Sequence, residues 1–517
     1  MLMKKNHLFL CSKICMLALA GAGAFFLASC ATDGFDNDEQ WERTVRNTLL
    51  SNPSESDITI EPTVDRKQTK ISWNVVYGAA QYECKVYDIT DGKKEQLLDT
   101  IMDGVTWVIP RVRNLNYLFT IRTIADSSLG NTSPTEPAEK KFDTLLEIFA
   151  TIEGSDDAEN PTDLYQYFKD NPITNNIYLD ESVYNLQAGK FYTVSEELDF
   201  GASPGKSIML RSEDETQRVN LTIGDNAGFV VPNEFSLENI NITCGISLKP
   251  LIALNASPDA SLKPVSTADD GTTTKLSDYY RINSLSIKNC DIMGLKGCLI
   301  YDNKAQYCIV GLSIDNMLLK LDTETDAVQN GALLSFYGGG VKEFTITNST
   351  VYQTGSGNPQ YFLRYLNGAR IDRFGYNSKE SQYAPDKTKI TYINNTFYKV
   401  ASGNWSNYDG IENGTDYVVQ QNIWEDCGGS GEIARRIYGK SRVATEENHS
   451  TALWNYNTYV TNGAIKPQEN SDGSTKYDTS NTQLQTLPGF KDPANGDFTP
   501  TGADQVQYKT GDPRWFE

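Results

Sequence analysis

Five arginines and one aspartate sit where the sequence could support bond-breaking chemistry. Arg364, Arg370 and Arg373 lie within the stretch 361–373, and Arg435 and Arg436 occupy a glycine-bounded loop. Asp302 follows the apolar run Leu299-Ile300-Tyr301 and precedes Asn303-Lys304. Cleavage of a uronic-acid chain by β-elimination needs groups of this kind. An Arg or Lys takes the proton α to the carboxylate, and Ca²⁺ held by clustered acids neutralises that carboxylate. Arg364, Arg373 and Arg436 are candidates for the catalytic base, with Asp302 a candidate metal ligand. No Asp-x-x-x-Asp set joins them, and the ordinary reading of isolated arginines is a solvated or ion-paired surface.

A second chemistry is recognition without cleavage. A sugar ring presents C–H faces rimmed by hydroxyls, so its partner is an exposed aromatic ring flanked by amides and hydroxyls. Gly403-Asn404-Trp405-Ser406-Asn407-Tyr408-Asp409-Gly410 has that composition, which makes Trp405 and Tyr408 candidate glycan contacts. Tyr361 and Tyr365, on either side of Arg364, form a second candidate. The competing reading is that these rings fold back as loop anchors. Of the two histidines, His7 and His449, the first lies in the export signal described next. One remaining histidine makes His-rich zinc sites and Ser-His-Asp triads improbable.

Lys4, Lys5 and Lys13 precede an apolar stretch from Ile14 to Leu27, which is too short and glycine-broken for a spanning helix. Small residues then lead to a cysteine. Residues 1–29 read as a signal peptide, and Leu27-Ala28-Ser29-Cys30 resembles the bacterial lipobox, with Cys30 the lipidated residue. The acidic run from Asp33 to Glu39 opens a tether over 30–55 too polar to fold. The whole chain carries a net charge of −21, and loss of the three signal lysines takes the mature form to −24. Such acidity argues against nucleic acid and anionic lipid surfaces as partners. The six later cysteines, Cys84, Cys244, Cys290, Cys298, Cys308 and Cys427, show no paired spacing and read as small buried hydrophobes.

Residues 56–144 alternate apolar and polar positions in short runs such as Tyr82-Glu83-Cys84-Lys85-Val86, the period of a two-sheet sandwich. The Ser72-Trp73 pair and Leu115-Asn116-Tyr117-Leu118-Phe119 resemble elements of a fibronectin type III domain. That resemblance implies Trp73 as the core tryptophan and Tyr117 as its corner tyrosine. Residues 145–517 carry a different texture: a polar residue, usually Asn, recurs just ahead of an apolar strand. Copies include Asn239-Ile240, Asn289-Cys290, Asn316-Met317, Asn348-Ser349-Thr350-Val351, Asn394-Asn395-Thr396-Phe397, Asn422-Ile423-Trp424 and Asn457-Thr458-Tyr459. The shortest gaps between copies fit one turn of a right-handed parallel β-helix, and longer ones a turn plus a loop, or two turns. Asn at each bend supplies the left-handed conformation, and stacking buries the inner face that one turn cannot bury alone.

The segment 145–517 resembles the pectate-lyase-like β-helix lipoproteins of Bacteroidetes. The tail, Leu487-Pro488-Gly489-Phe490 to Thr499 and then Gly511-Asp512-Pro513-Arg514-Trp515, matches well and is expected to close the last turn. The resemblance implies an all-β protein, a sandwich followed by a β-helix, anchored at the outer membrane and facing outward. Its implied partners are polysaccharide and an outer-membrane glycan importer, with the membrane touched only through the lipid. Non-catalytic glycan binding for polysaccharide utilisation is the leading expectation. The alternative is a Ca²⁺-dependent polysaccharide lyase.

Overall fold

The computed structural model describes residues 45–516 apart from 63–67, 112–114, 145–147, 174–180, 202–206, 215, 246, 263–278, 324–330, 338, 356, 358, 367–375, 378–381, 384–387, 408–414, 439–449 and 470–475. Cys30, Tyr408 and Arg373 therefore lie outside the described residues. Among the described residues no helix is long and apolar enough to cross a membrane. The chain divides into two units, the second beginning at Ile148.

Period-two alternation shapes the first unit. Strands β1 (Thr59–Pro62), β2 (Gln68–Ser72), β3 (Ala79–Asp88), β4 (Glu95–Met102), β5 (Thr106–Pro110), β6 (Asn116–Ala125) and β7 (Ala138–Asp143) form two antiparallel sheets, in orders β1-β2-β5 and β4-β3-β6-β7. Ile58, Ile71 and Ile109 meet Cys84, Val86, Phe119 and Ile121 in one shared core. Trp73 is buried there, edge-on to Tyr82 at 5.4 Å. Residues 45–55, assigned by composition to a tether, instead lie along this unit. Leu50 is buried, and the Asn52 side chain accepts from the Thr123 amide (2.8 Å) and donates to the Glu136 carbonyl (2.7 Å). Main-chain bonds add to this, from the Asn47 amide to the Leu129 carbonyl and from the Leu50 amide to the Thr132 carbonyl, with a parallel bridge between Leu49 and Thr132.

The second unit winds through three sheets, each pairing parallel from turn to turn. The first has ten strands, from Ile148–Ile152 to Thr451–Asn455. The second has eleven, ten parallel strands from Thr162–Asp163 to Thr458–Thr461 and an antiparallel end strand, Ala464–Ile465. The third has seven, from Leu198–Asp199 to Asn404–Ser406. One turn runs Gly340–Thr347, Thr350–Gln353, Tyr361–Tyr365 before the next begins at Thr388–Ile393. This is a parallel β-helix. In the first sheet Leu237, Ile287, Ile314, Ile346, Tyr392, Val419 and Trp454 stack in register and point inward. Helix α1 (Leu164–Asp170) buries Leu164 and Phe168 in the same core, and Asp163 caps it through the Tyr165 amide.

The recurrent Asn marks the bend between the first and second sheets. Asn239, Asn289, Asn316, Asn348 and Asn394, followed by Gln421 and Tyr456, all have φ between 47° and 58°. Asn tolerates this region because its short side chain bonds locally. One position later an inward ladder begins. Ser349, Asn395, Asn422 and Asn457 are fully buried; the Asn395 amide nitrogen donates to Asn422 Oδ1 (2.8 Å), and that of Asn422 to Asn457 Oδ1 (3.0 Å). Each also donates to a main-chain carbonyl, of Ile346, Tyr392 and Val419 respectively. Every buried amide thus has partners, which removes the penalty of placing it in an apolar core.

The tail does more than close the last turn. It folds back along the outer side of the second sheet from Thr458 to Asp291. Helix α2 (Ile433–Tyr438) packs on strand Asn404–Ser406, and helix α3 (Ala503–Tyr508) lies within the strap, residues 484–515. Gln505 donates to the Thr458 hydroxyl (3.0 Å), Tyr508 stacks on Tyr456 at 4.2 Å, and the Gly511 amide donates to the Gln421 carbonyl (2.8 Å). The Asp512 amide donates to the Thr396 hydroxyl (3.0 Å) while its carboxylate accepts from the Thr350 hydroxyl (2.8 Å). Arg514 then reaches Asn316 (2.8 Å) and Asp291 (3.4 Å). Phe490, Phe498 and Trp515 cover Tyr352 and Tyr398.

Five of the six described cysteines are buried, Cys244 is half-buried, and none forms a disulfide; burial pushes the thiols of Cys84, Cys244, Cys290 and Cys308 up to about 12.

Candidate functional site

On the third sheet and the connections leaving it, cations meet aromatic rings at two places. Register places Tyr301 beside Ser335 and Ser335 beside Arg364 on successive turns, a strand spacing of about 4.8 Å. The Arg364 guanidinium lies over the Tyr361 ring, 4.6 Å from its centroid. A second pair stands two turns earlier in the chain and one turn across: the Lys304 ammonium lies 5.4 Å from the Tyr337 ring centroid. Lys304 is exposed, and Tyr337, Tyr361 and Arg364 are half-buried.

Asp302 organises the Lys304–Tyr337 pair. Its side chain is fully buried and accepts from the amides of Lys304 (3.1 Å), Tyr337 (2.7 Å) and Gly339 (3.1 Å). Asn303 and Lys304 are both held at positive φ, 52° and 65°. Such a conformation costs a lysine about 1–2 kcal/mol and persists only where the surroundings impose it. Beside Asp302, burial drives the Tyr301 hydroxyl up to about 12, with the neighbouring carboxylate adding to the shift.

The expected metal role for Asp302 does not fit this geometry. Both carboxylate oxygens point at main-chain amides, and among the described residues no three His, Cys, Asp or Glu side chains converge. Asp302 is a loop anchor, and no Ca²⁺-dependent step can be derived through it.

The aromatic candidates separate. Trp405, expected on an exposed loop, lies in strand Asn404–Ser406 with its ring fully buried, stacked at 4.3 Å on Phe362 and bonded through Nε1 to the Tyr392 hydroxyl (3.3 Å). The flanking Asn404 and Ser406 pair in the sheet with Tyr361 and Leu363 while the indole enters the core. Tyr365 is likewise buried, stacked on Phe336 at 5.6 Å. Neither can face a ligand, and Tyr361 alone of the described candidates keeps a surface position. Of the arginines, Arg364 belongs to the site. Arg436 lies in helix α2, with its carbonyl accepting from the Ser406 hydroxyl. Burial, reinforced by Arg435 and Arg436, lowers the nearby Lys476 ammonium to about 8. Lys304 and Tyr337 escape sequence reading because they lie a full turn apart and no motif links them. The only trace is the polar Asp-Asn-Lys triplet after a strand.

The chain matches three sequence families, each described as a domain of unknown function: DUF4992 over residues 3–189, DUF4957 over 190–354 and DUF5123 over 390–515. No curated protein matches it. Among solved structures it is similar to pectate lyase PelI from Erwinia chrysanthemi. The complex of that enzyme with tetragalacturonic acid shares 9% identity over 61% of this chain and 84% of that one, with a TM-score of 0.13. A second structure of the enzyme shares 10% identity over 84% and 98%, also with a TM-score of 0.13. Scores this low leave the β-helix assignment to rest on the parallel sheets themselves.

Proposed function

We propose that this protein binds polysaccharide on the outer side of the third sheet and does not cleave it. It acts as a lipoprotein anchored through Cys30 on the outward face of the outer membrane, where it would serve a glycan importer. The first unit, with its fibronectin type III-like arrangement, would act as the stalk. The observation that carries the reading is the pairing of cation and ring, Lys304 with Tyr337 and Arg364 with Tyr361, along the axis of the β-helix. Each pair sets a strong hydrogen-bond donor beside apolar surface, the combination a hydroxyl-rimmed sugar ring requires. A long glycan lying along the axis would meet both.

The Cys30→Ala variant, expected to leave the membrane, supplies a soluble form for retardation in polysaccharide gels. In that background Tyr337→Ala and Tyr361→Ala together should weaken retention at least tenfold, about 1.4 kcal/mol, with the melting temperature nearly unchanged. Retention equal to that of the parent would remove this face from consideration. Absorbance from unsaturated uronic products, measured in the same panel with and without Ca²⁺, would overturn the binding-only reading in favour of the lyase alternative.

A further inference from the structure

We propose that residues 484–515 form a clamp that docks and undocks as a unit, and that its docking sets the stability of the C-terminal six turns of the β-helix without being needed for the earlier ones. The first argument is the kind of bond that holds it. Its only ladder-like contact is a bridge to itself, Asp492 with Asp497, and no strand of the three parallel sheets pairs with it. Its bonds to the β-helix run mainly through side chains: Gln505 to Thr458, Thr510 to the Tyr456 carbonyl, Asp512 to Thr396 and Thr350, Trp515 to Thr350, Arg514 to Asn316 and Asp291. Undocking therefore breaks no sheet ladder, which marks the segment as a separate cooperative element.

The second argument is reach. The contacted strands are Asp291–Leu295, Leu318–Leu321, Thr350–Gln353, Thr396–Tyr398, Ile423–Glu425 and Thr458–Thr461, six consecutive members of the second sheet. One segment tying six turns together couples their opening, whereas the turns before Asp291 gain nothing from it. The Thr that follows the buried ladder position in three of these turns, Thr350, Thr396 and Thr458, supplies the docking hydroxyls. Gly511 permits the close approach: with φ at 114°, a Cβ there would lie 2.9 Å from the Thr396 hydroxyl and 3.0 Å from Ile423.

The clamp converges on Asp512. It is buried, and its carboxylate accepts from the Thr350 hydroxyl, the Arg514 amide and the Arg514 guanidinium. Arg514 in turn pairs with Asp291, which also holds Arg218 at 2.7 Å. Loss of the Asp512 side chain leaves Arg514 and Thr350 without their common partner, and Thr350 is also the acceptor of the Trp515 indole.

The test is hydrogen exchange on the full chain carrying Asp512→Ala, with Arg514→Ala as a second variant. At least a tenfold faster exchange is expected in strands 318–353 and 396–425, while strands 208–244 keep the parent's rates. A synthetic peptide of residues 484–517, added to a chain ending at Gln483, should restore the slow rates in trans. Unchanged rates in both variants would overturn the proposal. So would uniform acceleration through residues 148–461, because the strap would then be part of one indivisible fold.

Discussion

Trp405 shows how one side chain decides between two functions. On sequence it stands in polar company between glycines, as a sugar platform would. In the fold its indole lies flat on Phe362 and meets Phe397 at 4.8 Å and Trp424 at 6.0 Å. Trp405→Ala should therefore cost about 3–5 kcal/mol of stability, seen as a large fall in melting temperature. Polysaccharide retention of the still-folded fraction should stay at the parent level. A near-normal melt would contradict the burial described here. The ring's direction was not legible because strand direction at the third sheet depends on where the preceding turn ends, and no local composition encodes that. Lys304 and Tyr337 were hidden for a related reason, since stacking, not sequence proximity, brings them together.

At the scale of elements, the bend between the first two sheets was the most legible part of the molecule. Left-handed backbone favours Asn or Gly, and the requirement returns once per turn, so the pattern survives even where gaps differ. The fold puts the predicted Asn at five bends and shows that Gln421 and Tyr456 do the same work in the last turns. Asn394→Gly should leave the melting temperature nearly unchanged, since Gly adopts positive φ freely. Asn394→Val should lose about 1–2 kcal/mol; equal behaviour of the two variants would mean that conformation is not what the site selects. The strap was half-legible. Its motifs stood out, but its destination did not, because it docks through isolated side chains rather than through a periodic pattern.

For the whole molecule, two acids set a common pH dependence. Burial pushes the Glu425 carboxyl up to about 7, with Asp426 adding to it and Lys399 opposing, and pushes Asp512 up to about 6 against the pull of Arg514 and Thr350. A carboxyl whose folded value exceeds its unfolded one contributes stability below the unfolded value, lost as pH rises through the folded value. The melting temperature of the β-helix unit should thus fall between about pH 5 and pH 8, a trend that calorimetry across buffers would check. Growing self-repulsion of so acidic a chain works in the same direction. A melting temperature that climbs across that interval would contradict the burial of both acids. The two-unit organisation and the β-helix were readable from periodicity alone, whereas the extent of the first unit was not, since residues 45–55 join it through a single bridge, Leu49 with Thr132, and through Asn52 rather than through a run of alternating residues.

The spacing of the bends carries a last consequence. From each bend to its buried ladder position the distance is one residue, and it does not vary. The exits of the third sheet vary freely: the chain returns from Tyr301 to Tyr307 in one turn, yet takes the stretches from Leu254 to Tyr280 and from Tyr365 to Thr388 in others. The largest length changes therefore fall at one edge of the β-helix, the edge that bears Lys304 and Tyr337, and none falls between an Asn bend and its ladder position. New segments can be added there without touching the Asn stack, the inward ladders or the strap. A scaffold divided in this way can change what it recognises while the frame that folds it stays the same.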